Sequence, residues 1–196
     1  MNFHASKPNR SAPASFPYRR VWVIGSSGTG KTTLARELAR RIGAEHIEID
    51  AIFHLPNWED MPAEEFIEAV HARTQTERWV ADGNYMNYLR RIERAELIIW
   101  LDYPFRIVIR RILVRTISRL ISRKPLWNGN RESLRMALSR EGMVYWVFST
   151  YWKRRRQFPR MLQMRGFREI AQIRFRHPRE AREWLQRWQH ASIVAE

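Results

Sequence analysis

The sequence predicts an α/β fold, with a parallel sheet of short strands covered by helices on both faces. Short apolar runs alternate with stretches of helical periodicity along most of the 196 residues. The apolar runs, such as RVWVI and LIIWL, show no alternation of polar residues, which is typical of strands buried on both faces. The first run leads directly into a glycine-rich turn and then a helical pattern, as in a strand–turn–helix unit.

Each predicted strand is a short run rich in Val, Ile, Trp or Phe that stops at a turn residue or an aspartate. Each predicted helix has apolar residues three and four positions apart, and its ends are marked by proline or glycine, as at Pro62, Pro104 and Gly43. The strands are expected at 20–24, 46–49, 79–81, 97–101 and 167–175. The helices are expected at 32–42, 62–74, 85–92, 105–122, 132–157 and 178–190, with a turn-rich loop at 124–131.

The segment GSSGTGKTT, residues 25–33, carries the most specific chemistry in the chain. It matches the pattern G-x-x-x-x-G-K-[ST] at every fixed position, between a predicted strand and a predicted helix. The glycines let backbone N–H groups turn inward around a phosphate, and the helix adds its positive N-terminal end. We therefore predict a P-loop NTPase fold that binds ATP and Mg²⁺, through Gly25, Ser26, Ser27, Gly28, Thr29, Gly30, Lys31, Thr32 and Thr33. Lys31 would reach the β- and γ-phosphates, and the Thr32 hydroxyl would ligate the metal.

Three predicted strands end in an aspartate: Asp50, Asp82 and Asp102. Ligands of open α/β sheets bind at the carboxyl ends of the strands, so all three could face the nucleotide. Asp82 is the candidate for the Mg²⁺ site. Asp50 is the candidate for contact with an acceptor, or for a general base if that acceptor is a hydroxyl. Asp102 is interpreted mainly as a turn or N-cap residue of the following helix.

Composition limits the class of protein. The chain has no cysteine, which excludes disulfides and thiolate metal sites and suits a reducing compartment, and the histidine spacing fits no zinc pattern. No stretch approaches the ~18 uninterrupted apolar residues of a membrane span. We expect a cytoplasmic protein, monomer or homodimer, with a loose tail at 1–18, one domain at 19–190 and a second tail at 191–196. A segment on the acceptor side is expected at 51–77.

Five stretches resemble the topology modulation protein family, a branch of the adenylate-kinase-like P-loop kinases. They are GSSGTGKTTLA, HIEIDAIFHLPNW, WVADGNY, LIIWLDYPFRIVIRRILVRT and LWNGNRES, spread over about residues 20–188. The resemblance implies a three-layer fold with a five-stranded parallel sheet, and a helical, arginine-rich lid at 115–135. It also matches Asp82-Gly83 to the pair that supports Mg²⁺ in adenylate kinases.

The same resemblance implies roles for particular cations. Arg115 would begin the lid and stabilise the transferring phosphoryl group together with Lys31. Arg111 and Arg119 would contact the nucleotide, and Arg123 and Arg131 are further lid candidates. His177 and Pro178 would lie near the adenine. Unlike adenylate kinases, this chain has Asn84-Tyr85-Met86 rather than Phe-Pro-Arg after Asp-Gly, which leaves the acceptor open between a nucleotide and a hydroxyl compound.

The net charge of +15 is concentrated in residues 103–165, which contain 16 basic and 2 acidic residues. In one interpretation a few of these arginines form the lid and the others are solvated helix faces. In another, the run KRRRQ and neighbouring aromatic residues bind nucleic acid. In a third interpretation the block belongs to the core, with the aliphatic parts of arginine side chains covering apolar surface, or it contacts a membrane surface.

The predicted function is transfer of the γ-phosphoryl group of ATP to an unidentified small acceptor, with Lys31, Arg115 and Asp50 as catalytic residues. The alternative is a nucleic-acid-binding ATPase linked to DNA topology. A third hypothesis is a P-loop protein that binds nucleotide with little turnover. DNA-stimulated ATP turnover would separate the first two.

Overall fold

The computed structural model describes residues 15–85, 94–122, 127–130 and 142–188. Its strands are β1 (Arg20–Gly25), β2 (Glu45–Glu48), β3 (Trp79–Asp82), β4 (Leu97–Leu101) and β5 (Ala171–Phe175). Its helices are α1 (Lys31–Ile42), α2 (Ile49–Phe53), α3 (Ala63–Arg73), α4 (Phe105–Ser122), α5 (Met143–Leu162) and α6 (Pro178–Gln186). Two short 3₁₀ turns, Pro56–Trp58 and Trp127–Gly129, complete the described elements.

The five strands form one sheet in the order β2-β3-β1-β4-β5, and each neighbouring pair is parallel. The predicted five-stranded parallel sheet is therefore confirmed. Val23 of the central strand lies opposite Asp82 of β3 and Ile99 of β4. This register brings the carboxyl ends of β1, β3 and β4 to the same edge of the sheet, next to the start of α1.

Side chains of β1 alternate between two apolar layers. Val21 and Val23 pack with α1, α4 and α6 on one face, whereas Trp22 and Ile24 pack with α3 on the other. All four side chains are fully buried. Burial of such a side chain contributes about 1.5–3 kcal/mol of transfer free energy, so both faces of the sheet need a helical cover. The predicted helices on both faces are thus confirmed.

Helix α5 contributes to both layers. Val147 and Tyr151 belong to the first apolar layer, and Phe158 and Leu162 belong to the second. The Tyr151 hydroxyl donates a hydrogen bond of 2.9 Å to the carbonyl oxygen of Tyr103. The sequence analysis ended this helix at residue 157, but it continues through Pro159, because the burial of Phe158 and Leu162 offsets the backbone donor that the proline lacks.

Several other boundaries differ from those predicted. Helix α2 occupies 49–53, where only the end of a strand was expected, so Asp50 lies in a short helix rather than at a strand end. Strand β5 begins at residue 171 instead of 167. Phe16, assigned to the loose tail, packs edge-on against Trp188 with ring centroids 5.0 Å apart, so the packed chain begins earlier than predicted. The helix predicted at 85–92 and the first part of that at 132–157 lie outside the described residues.

Asp102 has a structural role that the sequence did not reveal. Its carboxylate is buried and forms ion pairs with two guanidinium groups, those of Arg155 at 3.1 Å and Arg174 at 2.5 Å. Arg174 also lies over the ring of Trp100 at 4.2 Å from its centroid. These pairs join β4, β5 and α5.

Among the described residues, no helix combines the length and apolar character needed to cross a bilayer.

Candidate active site at the carboxyl edge of the sheet

The glycine-rich loop joins β1 to α1 and is fixed by close packing. Gly28 has φ +84°, and a Cβ built on it would lie 2.6 Å from the Cγ1 of Ile112 on α4. Gly30 has φ +89° and forms the N-cap of α1. An L side chain is unfavourable at both φ values, so glycine is the residue type that these two positions require. Helix α4 therefore forms the back of the loop.

Two side chains from other segments, and one of its own, hold the loop in place. Asn84 makes two hydrogen bonds with Gly25: its Nδ2 donates to the carbonyl oxygen at 2.7 Å, and its Oδ1 accepts from the amide at 3.1 Å. The Thr29 hydroxyl donates to the carbonyl oxygen of Ser26 at 2.8 Å. Arg111 Nη1 donates to the carbonyl oxygen of Thr29 at 2.7 Å. The backbone is thus preorganised before any ligand binds.

Lys31 is the buried cation of this edge, with only 8% of its surface exposed. Burial lowers the pKa of its ammonium group, whereas the nearby carboxylates of Asp50 and Asp82 oppose that shift. The guanidinium groups of Arg154 and Arg115 lower it further. A desolvated ammonium group between acids and arginines gains stabilisation from an added anion, which is what a triphosphate would supply.

Asp82 is fully buried at the end of β3 and is held by two partners. The Thr32 hydroxyl donates to its Oδ1 at 2.7 Å, and the Nε2 of His46 lies 2.9 Å from its Oδ2. The predicted pair Thr32 and Asp82 is therefore brought together, with His46 as an additional neighbour. No role was predicted for His46, because its contact with Asp82 depends on the register between β2 and β3.

Asp50 lies in α2, and its carboxylate is near enough to Lys31 to oppose the lowering of the pKa of that ammonium group by burial. Its carboxylate accepts a hydrogen bond from the hydroxyl of Tyr85, and burial together with this carboxylate raises the pKa of that phenol. The Tyr85 ring is fixed against Phe53 and Phe66, with centroids 4.7 and 5.0 Å away. A carboxylate oriented by a rigid phenol is suited to holding a hydroxyl group near the end of the phosphate chain.

Residues of the predicted lid contact the predicted acceptor-side segment. Asn128 Nδ2 donates to the carbonyl oxygen of His54 at 2.6 Å, and the Trp127 ring stacks on His54 with centroids 5.6 Å apart. Buried Asn130 donates to the carbonyl oxygen of Leu55 at 2.9 Å and accepts from the amide of Trp58 at 3.1 Å. We call this contact between 127–130 and 54–58 the clasp. Trp127 also donates to Glu48, whose pKa is raised by burial.

Other predicted site residues lie at varied distances from this edge. Arg115 on α4 is close enough to Lys31 to lower its pKa, whereas Arg119 lies one turn further along the same helix. His177 is exposed and caps α6, its Nδ1 accepting from the amide of Arg179 at 3.2 Å, and Pro178 opens that helix. Their proposed place beside an adenine stays a prediction. Arg123 and Arg131 lie outside the described residues.

Arg154 is a site residue that the sequence analysis did not select. It belongs to the run KRRRQ, interpreted there as part of a nucleic-acid surface, yet its guanidinium is near enough to Asp50, Tyr85 and Lys31 to interact with them electrostatically. A helical wheel would have supplied the signal, since consecutive residues of a helix point about 100° apart and cannot share one face. Asn84 was likewise noted only as a departure from adenylate kinases.

Comparisons with known proteins agree with this architecture. The chain is 28% identical to a cytidylate kinase of Pyrococcus abyssi over 110 residues, which is 48% of this chain and 60% of that kinase. It is 35% identical to a probable gluconokinase of Schizosaccharomyces pombe over 68 residues, which is 34% of this chain and 32% of the other. The chain thus spans about three-fifths or less of the length of these relatives.

Solved structures share the fold. The shikimate kinase of Bacteroides thetaiotaomicron superposes with a TM-score of 0.52 at 14% identity, covering 87% of this chain and 96% of its own. A gluconokinase of Sinorhizobium meliloti gives the same TM-score at 16% identity, covering 90% and 92%. At these identities the likeness concerns the P-loop kinase-like fold alone. The sequence itself matches the family AAA_33, an AAA domain, over residues 21–195, and the chain belongs to that family.

Proposed function

We propose that this protein is a P-loop kinase that transfers the γ-phosphoryl group of ATP to a small acceptor. One observation carries the proposal: Lys31 is buried at the start of α1, near both the Asp82–Thr32 pair and Asp50. A nucleotide-binding edge with a second acidic group beside it is what transfer between two bound molecules requires. The similarity to cytidylate kinase and gluconokinase sequences supports a phosphotransferase.

In this proposal the loop backbone and the N-terminus of α1 bind the triphosphate. Lys31 stabilises negative charge on the migrating phosphoryl group, at no cost of reorganisation because the ammonium group is already desolvated in position. Arg115 assists from α4. Arg111 supports the loop itself, because its Nη1 donates to the carbonyl oxygen of Thr29, and its contact with the nucleotide stays a prediction.

The residues at the end of β3 fit a magnesium ion. The Thr32 hydroxyl and the Asp82 carboxylate are hard oxygen donors 2.7 Å apart, and Mg²⁺ prefers such donors completed by phosphates and water. Bound Mg²⁺ would neutralise charge on the β- and γ-phosphates. Within the described ranges no three His, Cys, Asp or Glu side chains form a metal-ligand cluster, so phosphate oxygens would complete the coordination.

Asp50 is proposed to receive the acceptor. Its carboxylate, fixed by the Tyr85 hydroxyl, would accept a hydrogen bond from an acceptor hydroxyl and take its proton as the new P–O bond forms and the bond between the γ-phosphorus and the oxygen of the leaving ADP breaks. An acceptor bound in this way is a hydroxyl compound, or the phosphate hydroxyl of a nucleotide. We also propose that the chain falls in the topology modulation branch of the adenylate-kinase-like enzymes, on the stretches WVADGNY and LWNGNRES.

The proposal is tested by ADP release from Mg·ATP, with and without a panel of nucleoside monophosphates, sugar acids and polyols. We expect one acceptor class to stimulate turnover. Lys31→Ala should reduce that turnover by about 10²- to 10³-fold, as expected for loss of a charge stabiliser in the transition state. Lys153→Ala, which removes an exposed lysine of α5, is the matched control and should leave turnover unchanged. Full activity in Lys31→Ala would refute the assignment of the site.

A second candidate function, a nucleic-acid-binding ATPase, is favoured by one surface of α5. Phe148 and Trp152 are 54% and 53% exposed, and the exposed cations Lys153 and Arg156 lie beside them. Exposed aromatic rings next to cations can stack on unpaired bases. This candidate requires that single-stranded DNA stimulate ADP release in a salt-dependent manner and that Trp152→Ala remove the stimulation.

A further inference from the structure

Helices α4 and α5 bury one side each in the same apolar layer. The buried side chains are Val108 and Ile112 of α4 and Val147 and Tyr151 of α5. The opposite sides of both helices therefore lie on the outside of this layer. We call the exposed side of residues 106–121 and 145–156 the outer face.

The α4 part of the outer face carries a row of exposed aliphatic side chains. They are Leu113, Val114, Ile117 and Ile121, and between 45% and 79% of each is exposed. Their spacing of three and four residues places them on one side of the helix. A contiguous apolar row of this kind is typical of a surface that binds an apolar partner. Nucleic acid would leave it unused, because aliphatic side chains offer neither a stacking face nor a hydrogen bond to a base.

The α5 part of the outer face adds three aromatic side chains, Tyr145, Phe148 and Trp152, each about half exposed. The Phe105 ring at the start of α4 lies with its centroid 5.0 Å from that of Phe148 and 6.0 Å from that of Trp152. The outer faces of the two helices thus meet at Phe105. Tyrosine and tryptophan, which combine an apolar ring with a polar group, are the residues that favour the boundary between membrane and water.

The charge of the outer face is positive throughout. Each of the two helices contains five arginines or lysines and no aspartate or glutamate. Arg111 is held by the phosphate loop and Arg155 by Asp102. Four other cations are exposed, and none forms an ion pair with a described carboxylate: Arg106, Arg110, Lys153 and Arg156. A second copy of this chain would bring four more cations to the contact, so like charges disfavour it as the partner.

We propose that the outer face binds the surface of an anionic lipid bilayer. The aliphatic row would enter the boundary between headgroups and acyl chains, the aromatic rings would lie at the level of the headgroups, and the four cations would attract anionic lipids. An anionic bilayer satisfies both the apolar row and the unpaired positive charge. The inference goes beyond the proposed function and does not depend on it, since it concerns none of the residues assigned to phosphoryl transfer.

The test is sedimentation of the full-length protein with vesicles, either of phosphatidylcholine alone or of phosphatidylcholine mixed with phosphatidylserine. We expect binding to the anionic vesicles that weakens as salt screens the attraction. Ile117→Gln and Ile121→Gln should each lower the partition coefficient about 10-fold, and Arg156→Gln about 5-fold. Two matched controls should bind like the wild type: Ile67→Gln on α3, which packs in the other apolar layer, and Arg165→Gln, exposed beyond the end of α5.

The unfolding temperature of each variant should stay unchanged, because the replaced side chains are exposed, so weaker binding would not reflect a misfolded protein. Three outcomes would overturn the inference: no binding of the wild type to phosphatidylserine vesicles, equally strong binding to phosphatidylcholine alone, or unchanged binding in Ile117→Gln and Ile121→Gln. Binding to single-stranded DNA without binding to vesicles would assign the outer face to nucleic acid. A wild-type dimer that dissociates in Ile117→Gln, again without vesicle binding, would assign it to a second copy.

Discussion

Replacing Gly28 by alanine tests whether the loop is fixed by its packing against α4. The added Cβ would meet the Cγ1 of Ile112 at 2.6 Å and its Cδ1 at 2.9 Å, while φ stays at +84°. Overpacking of this kind costs about 1–3 kcal/mol, and a left-handed φ for an L residue costs about 1–2 kcal/mol. We therefore expect Gly28→Ala to lower the free energy of unfolding by about 2–5 kcal/mol, measured by urea denaturation with tryptophan fluorescence.

Two further variants separate these costs. Gly166 has a similar φ of +93° but no atom within 4 Å of its built Cβ, so Gly166→Ala should show the backbone cost alone, about 1 kcal/mol. An Ile112→Ala background removes the contacts with Cγ1 and Cδ1 and leaves only the carbonyl oxygen of Val108, 3.1 Å from the built Cβ, so Gly28→Ala should cost about 1–2 kcal/mol there. Equal effects of Gly28→Ala in both backgrounds would refute the packing argument. Nucleotide affinity should fall together with stability in Gly28→Ala and stay unchanged in Gly166→Ala.

Three other predictions concern stability. Asp102→Asn should destabilise the protein by about 2–4 kcal/mol in urea unfolding, because two partly buried guanidinium groups lose their shared carboxylate; an unchanged midpoint would contradict this. Asn130→Ala should cost about 1–3 kcal/mol in the same assay, since it leaves two backbone groups of the clasp unpaired, whereas Gln157→Ala, at an exposed position of α5, is the control. Hydrogen bonds from Arg40 and Arg41 lower the pKa of Glu37 to about 2, below its usual 4.5. The small stabilisation from this ionised carboxylate should therefore be present above pH 4.5 and disappear as the pH falls toward 2. Glu37→Gln should remove this part of the acid dependence of the unfolding temperature, and an identical acid profile in both proteins would show that the pairing has no effect.

The sheet and the phosphate loop could be predicted from the sequence because their signals are local. A run such as LIIWL has no polar face and has to be buried on both sides, and the loop motif is a fixed spacing within one strand–helix unit. The bounds of α4 were also predicted correctly, since Pro104 marks its start and its apolar residues recur at helical spacing. In each of these cases neighbours along the chain determine the conformation.

The neighbours of the site residues could not be predicted, because they come from distant parts of the chain. His46 reaches Asp82 across 36 residues, and Asn84 reaches Gly25 across 59, in both cases only once the parallel strands are in register. Arg154 lies 104 positions from Asp50, and its direction depends on how α5 passes from one apolar layer to the other. No spacing rule within one segment contains this information.

The clasp has a consequence for how enzymes of this kind could change their acceptor during evolution. Asn128 and Asn130 bind backbone carbonyl oxygens of His54 and Leu55, and Trp127 stacks on the His54 ring. Backbone contacts tolerate new side chains at 54 and 55, but a shift or insertion in either segment would break several hydrogen bonds at once. Single substitutions can therefore alter the acceptor side gradually, whereas a change in segment length requires a compensating change more than 70 residues away. The two segments are expected to diverge in concert.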